Sequence, residues 1–275
     1  MKPFLKWAGS KTSIVERIRQ VLPAGNRLIE PFAGSAALFM NTDFPSYLLA
    51  DSNAHLIALY QLLQKEGDAF IACCAALFTP GNNAPGAYYA LRAEFNATRD
   101  RRRKAALFLY LNRHCYNGLC RYNASGGFNV PMGRYAKPYF PAEEMRVFHE
   151  RSQKAVFKAA DFRAVMGEAV PGDVVYCDPP YVPLSRTASF TAYQSGGFGE
   201  EEQRELALLA GELSARGVPV IISNHDTDFT RMAYAKAKEM HYLDVQRFIS
   251  SKGARRGKAK EMLAVFSGKK YRKAS

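Results

Sequence analysis

Apolar and polar positions change period several times along this 275-residue chain, and each change predicts an element. Ile14, Ile18 and Val21 recur at helical spacing, and Pro23 and Gly25 close that helix. Leu28-Ile29 reads as a short strand running into Glu30. A turn of small residues follows, then a helix beginning near Ser35 with Leu38 and Phe39. Tyr47-Leu48-Leu49-Ala50 is the next strand, and it ends at Asp51. From about residue 53 to 151 the pattern is helical, with helices at 88–96 and 105–112 separated by Arg101-Arg102-Arg103-Lys104. Residues 112–139 are irregular and rich in Gly, Asn, Tyr and Arg. Strand patterns return at 155–157, 174–177, 218–222 and 262–266, and a long helix at about 200–215 joins two of them. This order predicts an α/β fold, a doubly wound sheet with a helical insertion after its second strand. Residues 269–273 read as a basic tail.

The candidate chemistry sits where strands stop. Val174-Val175-Tyr176-Cys177 is a buried-strand pattern that Pro179 and Pro180 terminate. Asp178 is thereby placed at the carboxyl end of a strand, where open α/β sheets bind ligands. Pro179 offers a carbonyl with no N–H of its own. The carboxylate and that carbonyl make a paired acceptor for an –NH2 group, and Tyr181 adds a flat surface for a planar base. Held by both hydrogens, an amino nitrogen moves towards sp3 and becomes a better nucleophile. A base inside a duplex must first be flipped out, and stacking on an aromatic ring offsets part of that cost.

A second acid, Asp51, ends the earlier strand, where it can accept from ribose hydroxyls. The turn before it has one glycine, Gly34, rather than G-x-G-x-x-G. A nucleoside without phosphates therefore fits better than a dinucleotide, and S-adenosylmethionine is such a molecule. Asp161 and Phe162, just past the 155–157 strand, stand where a cofactor adenine could be flanked, although Asp161 reads equally as a helix N-cap.

Charge adds a partner. Lys and Arg outnumber Asp and Glu by 38 to 25, a net +13, which points to a polyanion such as nucleic acid. Arg121 and Arg134 lie in the irregular insertion, where a β-hairpin would carry them into a major groove to read guanine. Arg101 to Lys104 reads equally as a solvated helix start or as phosphate contacts. The five cysteines, Cys73, Cys74, Cys115, Cys120 and Cys177, lack C-x-x-C spacing, so reduced thiols and no metal are expected. No apolar run is long enough to span a bilayer and no signal peptide is evident. A cytoplasmic monomer without membrane contact is expected.

Taken together, several stretches carry a resemblance. They are Phe4-Leu5-Lys6-Trp7-Ala8-Gly9 with Lys11, Glu30-Pro31-Phe32-Ala33-Gly34, Asn41-Thr42-Asp43-Phe44, Asp51, and Leu107-Phe108-Leu109-Tyr110-Leu111-Asn112-Arg113. Tyr116-Asn117-Gly118-Leu119-Cys120-Arg121-Tyr122-Asn123, Phe128-Asn129-Val130-Pro131, Gly133-Arg134-Tyr135, Asp178-Pro179-Pro180-Tyr181 and Ile222-Ser223-Asn224-His225-Asp226 complete them. The chain resembles the Dam-type DNA adenine-N6 methyltransferases, the D12 class with the α order of motifs, over nearly its whole length.

That resemblance implies a Rossmann-like catalytic domain from 1–55 and 145–275, and a DNA target-recognition domain, 56–144, with helices and a β-hairpin. It implies S-adenosylmethionine as methyl donor, double-stranded DNA as partner, GATC as target, and direct in-line transfer to a flipped adenine. Asp178, Pro179, Pro180 and Tyr181 would be the catalytic turn. Trp7 and Lys11 would hold the methionine end of the donor, with Phe32, Ala33, Gly34, Asp51, Phe162 and Asp178 completing its site. Arg121 would read one guanine and Lys6 the other, while Leu119 and Pro131 touch thymine. Tyr116 and Asn117 would support the space left by the flipped base. Arg113 and Asn129 would meet phosphates, and Arg134 and Tyr135 join the DNA-facing set. Three positions depart from the pattern: Ser10 replaces a glycine, His114-Cys115 replaces Tyr-Gly, and Ala136 stands in a lysine-rich stretch. The same acceptor chemistry would also serve cytosine N4, an RNA base or a protein glutamine, and a DNA-binding protein with a vestigial domain would keep the basic insertion alone.

Overall fold

The computed structural model describes residues 1–182, 198–246 and 258–268. The predicted basic tail, 269–273, lies outside them. The helices are α1 (Val15–Val21), α2 (Ala54–Glu66), α3 (Asp68–Ala75), α4 (Pro85–Ala97), α5 (Arg101–His114), α6 (Ala142–Ser152), α7 (Phe162–Gly167), α8 (Glu200–Ala215) and α9 (Asp228–Ala233). The strands are β1 (Arg27–Glu30), β2 (Ser46–Asp51), β3 (Ala155–Ala159), β4 (Asp173–Cys177), β5 (Val220–His225), β6 (Glu239–Gln246) and β7 (Lys258–Phe266). They fall into two compact units. The first holds Met1–Thr12, Ala33–Asp43 and Asp51–Ala159, and the second Ser13–Phe32, Phe44–Ala50 and Ala160–Ser275.

The second unit carries the sheet, in the order β2-β1-β4-β5-β7-β6, while β3 belongs to the first unit. Four strands are parallel: Ile29 of β1 pairs in register with Leu48 of β2 and with Val175 of β4, and Tyr176 pairs with Ile221 of β5. β7 then runs antiparallel to β5, and β6 antiparallel to β7. Chain order reverses beside β1, so the carboxyl ends of β1 and β4 flank the switch point where such sheets bind ligands. The parallel strands are apolar on both faces. Ile29, Leu48, Val175, Cys177 and Ile222 are buried with Phe162 and Val165 of α7 and Leu206, Ala210 and Leu213 of α8. The predicted α/β sheet is therefore present. β6 is an addition, because no residue from Glu239 to Val245 is fully buried and the strand lacks the apolar alternation that betrays one.

The first unit is mostly helical. Asn53 caps α2, its Oδ1 accepting from the His55 and Leu56 amides at 3.1 and 3.2 Å. Asp100 caps α5, accepting from the Arg102 and Arg103 amides. The run Arg101 to Lys104 is therefore the first turn of α5 and not a separator before it. From Ala105 to His114 that helix is buried all round, which makes it the central post of the unit. Phe148 packs against Tyr60 at 4.8 Å and Phe4 at 5.1 Å, with Phe157 beside it. Two departures from the family pattern become core groups here. His114 is buried, donates from Nδ1 to the Tyr110 carbonyl at 2.8 Å, and burial takes its pKa down to about 4. Burial pushes the Cys115 thiol up to about 12.

One predicted element comes out differently. No α-helix begins near Ser35. Ala36 adopts φ 58°, its amide closes on the Ala33 carbonyl at 2.7 Å, and only a 3-10 turn, Phe39–Asn41, follows. The insertion does form the predicted hairpin, but an irregular one: backbone bonds join Asn123 to Gly127, Asn129 to Arg121, Tyr116 to Pro131 and Gly133 to His114. It has isolated antiparallel bridges at Cys115–Met132 and Tyr122–Phe128 and a tight turn closed by the Asn123 side chain on the Gly127 amide at 2.7 Å. Side chains of α4 take the backbone groups of Phe128 and Val130 that the hairpin leaves over. Asn96 bonds both N–H and C=O of Phe128, and Tyr88 and Arg92 donate to the Val130 carbonyl.

Candidate active site

Two strand ends carry the acids. In the second unit, β4 stops at Cys177 because Pro179 and Pro180 cannot continue the ladder. Asp178 follows, partly exposed, and its Oδ1 accepts from Ser223 Oγ of β5 at 2.9 Å. Tyr176 donates its hydroxyl to the same Ser223 Oγ at 3.1 Å. Burial, and then the nearby Asp178 charge, holds the Tyr176 phenol well above its ordinary pKa, so it stays a donor. Ser223 has a single proton to give. The charged acceptor at 2.9 Å outcompetes the Cys177 carbonyl at 3.3 Å. A relay therefore runs from phenol to serine to carboxylate and fixes how Asp178 points.

The rest of that turn is held from α8. Gln203 is fully buried, and its Nε2 donates to the Pro180 carbonyl at 2.8 Å. Its Oε1 accepts from Asn224 Nδ2 at 3.0 Å and from Tyr234 Oη at 2.5 Å. Asn224 Oδ1 in turn accepts from the Val182 amide, and His225 Nδ1 donates to the Val182 carbonyl at 2.8 Å. Tyr181 stands edge-on to His225 at 4.7 Å and donates its hydroxyl to Glu261 at 3.1 Å. Both ends of the aromatic side chain are thus fixed. Phe162, expected beside a cofactor, is 3% exposed and stacks on Phe32 at 5.5 Å.

In the first unit, Asp51 closes β2. Its Oδ2 accepts from the Gly34 amide at 3.0 Å and its Oδ1 from the Asn53 amide at 2.9 Å. Burial raises its pKa, and those two amide bonds oppose the rise. Each carboxylate oxygen retains a second lone pair for a ligand hydroxyl. Gly34 has φ +46°, and a Cβ there would sit 2.9 Å from the Trp7 indole nitrogen. The turn Ala33-Gly34 is therefore shaped around Trp7, and only glycine fits it. Lys11 is buried, with Nζ on the Gly9 carbonyl at 2.8 Å.

The DNA-facing candidates also lie in the first unit and divide by exposure. Tyr116, Asn117, Leu119, Arg121, Pro131 and Arg134 are exposed. Arg121 Nε donates to Asn129 Oδ1 at 2.8 Å, which leaves part of its guanidinium fork to face outwards. Asn129, expected at a phosphate, has this oxygen engaged by Arg121. Lys6 is part-buried, its ammonium 3.6 Å from the centre of the Tyr135 ring. Arg113 differs from its expected phosphate role: it is buried and donates to the Tyr139 and Phe4 carbonyls. Asn112 locks the N-terminal segment, accepting from the Lys6 amide at 2.9 Å and donating to the Lys6 carbonyl at 2.6 Å. Among the described residues no group of three His, Cys, Asp or Glu side chains is arranged to hold a metal ion, and no helix is long and apolar enough to cross a membrane.

Comparison with known proteins decides the family. Residues 7–249 match the family model of the D12 class N6 adenine-specific DNA methyltransferases. The chain belongs to that family. It is 49% identical over 265 residues to the DNA adenine methylase of Escherichia coli, covering 96% of this chain and 95% of the relative. It is 50% identical over 266 residues to that of Serratia marcescens (96% and 98% covered) and 46% identical over 267 residues to that of Vibrio cholerae (97% and 96% covered).

As a D12 methyltransferase, the chain is an enzyme that methylates adenine N6 in DNA at the expense of a methyl donor. For this methyltransferase the sequence pattern left out Gln203, Glu261 and the Tyr176–Ser223 relay. Gln203 had a signal: it lies three and four positions before the inward-facing Leu206 and Ala207, on the buried face of α8.

Proposed function

We propose that the enzyme transfers the methyl group of S-adenosylmethionine to N6 of adenine in duplex GATC. The reading rests above all on Asp178, fixed by Ser223 and Tyr176 at the carboxyl end of β4. Asp178 carboxylate and Pro179 carbonyl accept the two hydrogens of the adenine amino group and turn its lone pair outwards. Tyr181 stacks on the flipped base, worth roughly 1–3 kcal/mol per base. S-adenosylmethionine, when bound, supplies a methyl group on a positively charged sulfur, which leaves as a neutral thioether. Nitrogen gains the methyl group and afterwards loses one proton, so no strong base has to act first. A nucleoside donor fits the first unit's turn: Asp51 keeps lone pairs for a ribose diol, Gly34 lets backbone come close, and Trp7 stands beside it.

Asp51→Ala should weaken S-adenosylmethionine binding by about 1–3 kcal/mol, the cost of leaving polar partners unmatched. Calorimetry on the purified enzyme measures this. Because burial raises the Asp51 pKa, its ionised form is lost on acidification earlier than for an ordinary aspartate near about 4. Donor affinity should therefore begin to fall above that range in the wild type and stay flat in the variant. An unchanged dissociation constant would move the ribose contact elsewhere.

Site choice is tested with duplexes in which each GATC position is substituted in turn. Arg121 is exposed and braced by Asn129, as a bidentate guanine reader should be. Arg121→Ala should lose about 1–3 kcal/mol of discrimination at one guanine position and leave the others alone. A uniform loss of activity with unchanged base preference would make Arg121 a backbone contact. Transfer to cytosine in place of adenine would overturn the acceptor.

A further inference from the structure

We infer that a cleft between α2 and the start of α5 is an additional seat for backbone phosphate, separate from the recognition loop. The inference rests on the enzyme acting on DNA. The cleft has a volume of ≈ 310 Å³, and Arg99, Arg101 and Lys104 line it with His55, Ala58, Thr98 and Ala105. Three lining residues are cationic and none is acidic. The structure divides the basic run in a way its sequence does not. Arg102 is spent on Glu66 at 2.7 Å, and Arg103 on Glu94 at 2.6 Å. Among the described residues no carboxylate pairs with Arg99, Arg101 or Lys104. Arg101 bonds only the neutral side chain of Gln61, and Lys104 lies over the Phe95 ring at 5.6 Å. The acid nearest in sequence, Asp100, is engaged by the Arg102 and Arg103 amides, so it stabilises the helix start and occupies its first N–H groups.

His55 adds hydrogen bonding to the cleft but no charge. Its Nδ1 faces the Tyr122 hydroxyl at 2.9 Å, and burial, followed by the Lys104 charge, lowers its pKa. What remains is a concave site with three cations whose charge no partner neutralises. Phosphodiester oxygens suit it: a compact, permanently charged anion that guanidinium and ammonium groups can share. Most of the cleft's exposed lining is apolar, so its preference for an anion rests on the three cations.

The test is the salt dependence of duplex binding. Arg99→Gln/Arg101→Gln/Lys104→Gln should reduce the slope of log affinity against log salt by about 0.9 for each phosphate lost, equally on cognate and non-cognate duplexes. Arg102→Gln/Arg103→Gln, drawn from the same run, should leave the slope where it was. Because Lys104 is part-buried, the exposed pair Arg99→Gln/Arg101→Gln repeats the measurement without it. An unchanged slope in both cleft variants overturns the proposal, as does an equal loss in the Arg102/Arg103 variant. Calorimetry with inorganic pyrophosphate separates the sources. Pyrophosphate binding that the cleft variants abolish, with no change in the DNA slope, would assign the cleft to a free phosphate compound and overturn the DNA seat. Wild-type methyl transfer on the same duplexes is scored independently, so failure of the enzymatic reading is told apart from failure of the cleft.

Discussion

Asp178→Ala should reduce methyl transfer by at least about 10²–10³-fold, the scale on which one preorganised polar contact to a transition state acts. The purified variant should still bind duplex DNA under the proposed reading, because the exposed Arg121 and Arg134 belong to the other unit. Asp178→Asn sharpens the test. It keeps an oxygen that can accept from Ser223 and from an amino group but removes the charge that steadies a developing cation on N6. Activity between the wild type and the alanine variant is expected. Ser223→Ala approaches the same group from behind, freeing the carboxylate to turn while its charge stays, so kcat should fall with KM for DNA nearly constant. Steady-state kinetics over a range of duplex concentrations at saturating donor measure all three. Near wild-type turnover by folded Asp178→Ala would remove this residue from the reaction.

Gln203→Leu should be the most damaging substitution that touches no reactant. It removes the donor to the Pro180 carbonyl and leaves the buried Asn224 amide and Tyr234 hydroxyl with only their bond to each other at 3.0 Å. Each unsatisfied group costs about 1–3 kcal/mol, which is a sizeable fraction of a domain's net stability of about 5–15 kcal/mol. Gln203→Glu separates the two consequences. It retains oxygens for Asn224 and Tyr234 and sets an acceptor against the Pro180 carbonyl, so the turn is released while the rest of the network survives. The expected signature is a fall in kcat with unchanged KM for donor and DNA, larger than the accompanying loss of melting temperature explains. If Gln203→Glu melts early but turns over normally at a permissive temperature, the amide supports the fold and not the turn.

Much of the catalytic half was legible because physical chemistry leaves few choices there. A β-branched and aromatic run cut off by two prolines can only be a buried strand that ends, and Asp178 falls at that end. Asp51 was found by the same reasoning at the end of β2. Three features were hidden for separable reasons. Edge strand β6 carries no buried face, so its residues alternate without an apolar signal. The Ser35–Phe39 stretch has helical composition, but Ala36 takes a left-handed conformation that no propensity announces. Gln203 stands in a run of glutamates that reads as a solvated helix start, and only its phase relative to Leu206 marks it as inward. In the insertion, Arg113 and Arg121 look alike as letters. One is braced at the surface by Asn129, and the other is spent inside on the Tyr139 and Phe4 carbonyls. A basic residue's role there depends on which carbonyls the fold brings near it, which spacing alone does not encode.

The grip of Asn112 on Lys6 fixes an order of events during synthesis. The two residues are 106 positions apart, so the N-terminal segment emerges from the ribosome and waits. At about 5–20 residues per second that wait lasts roughly 5–20 s. The Asp178 turn waits longer still. β1 can pair with β4 only when Val175 has been made, and the turn gains Ser223 and Asn224 later again. The growing chain thus acquires its basic helices well before it acquires a held carboxylate. A prematurely terminated product would hold the helices of the first unit without a fixed Asp178.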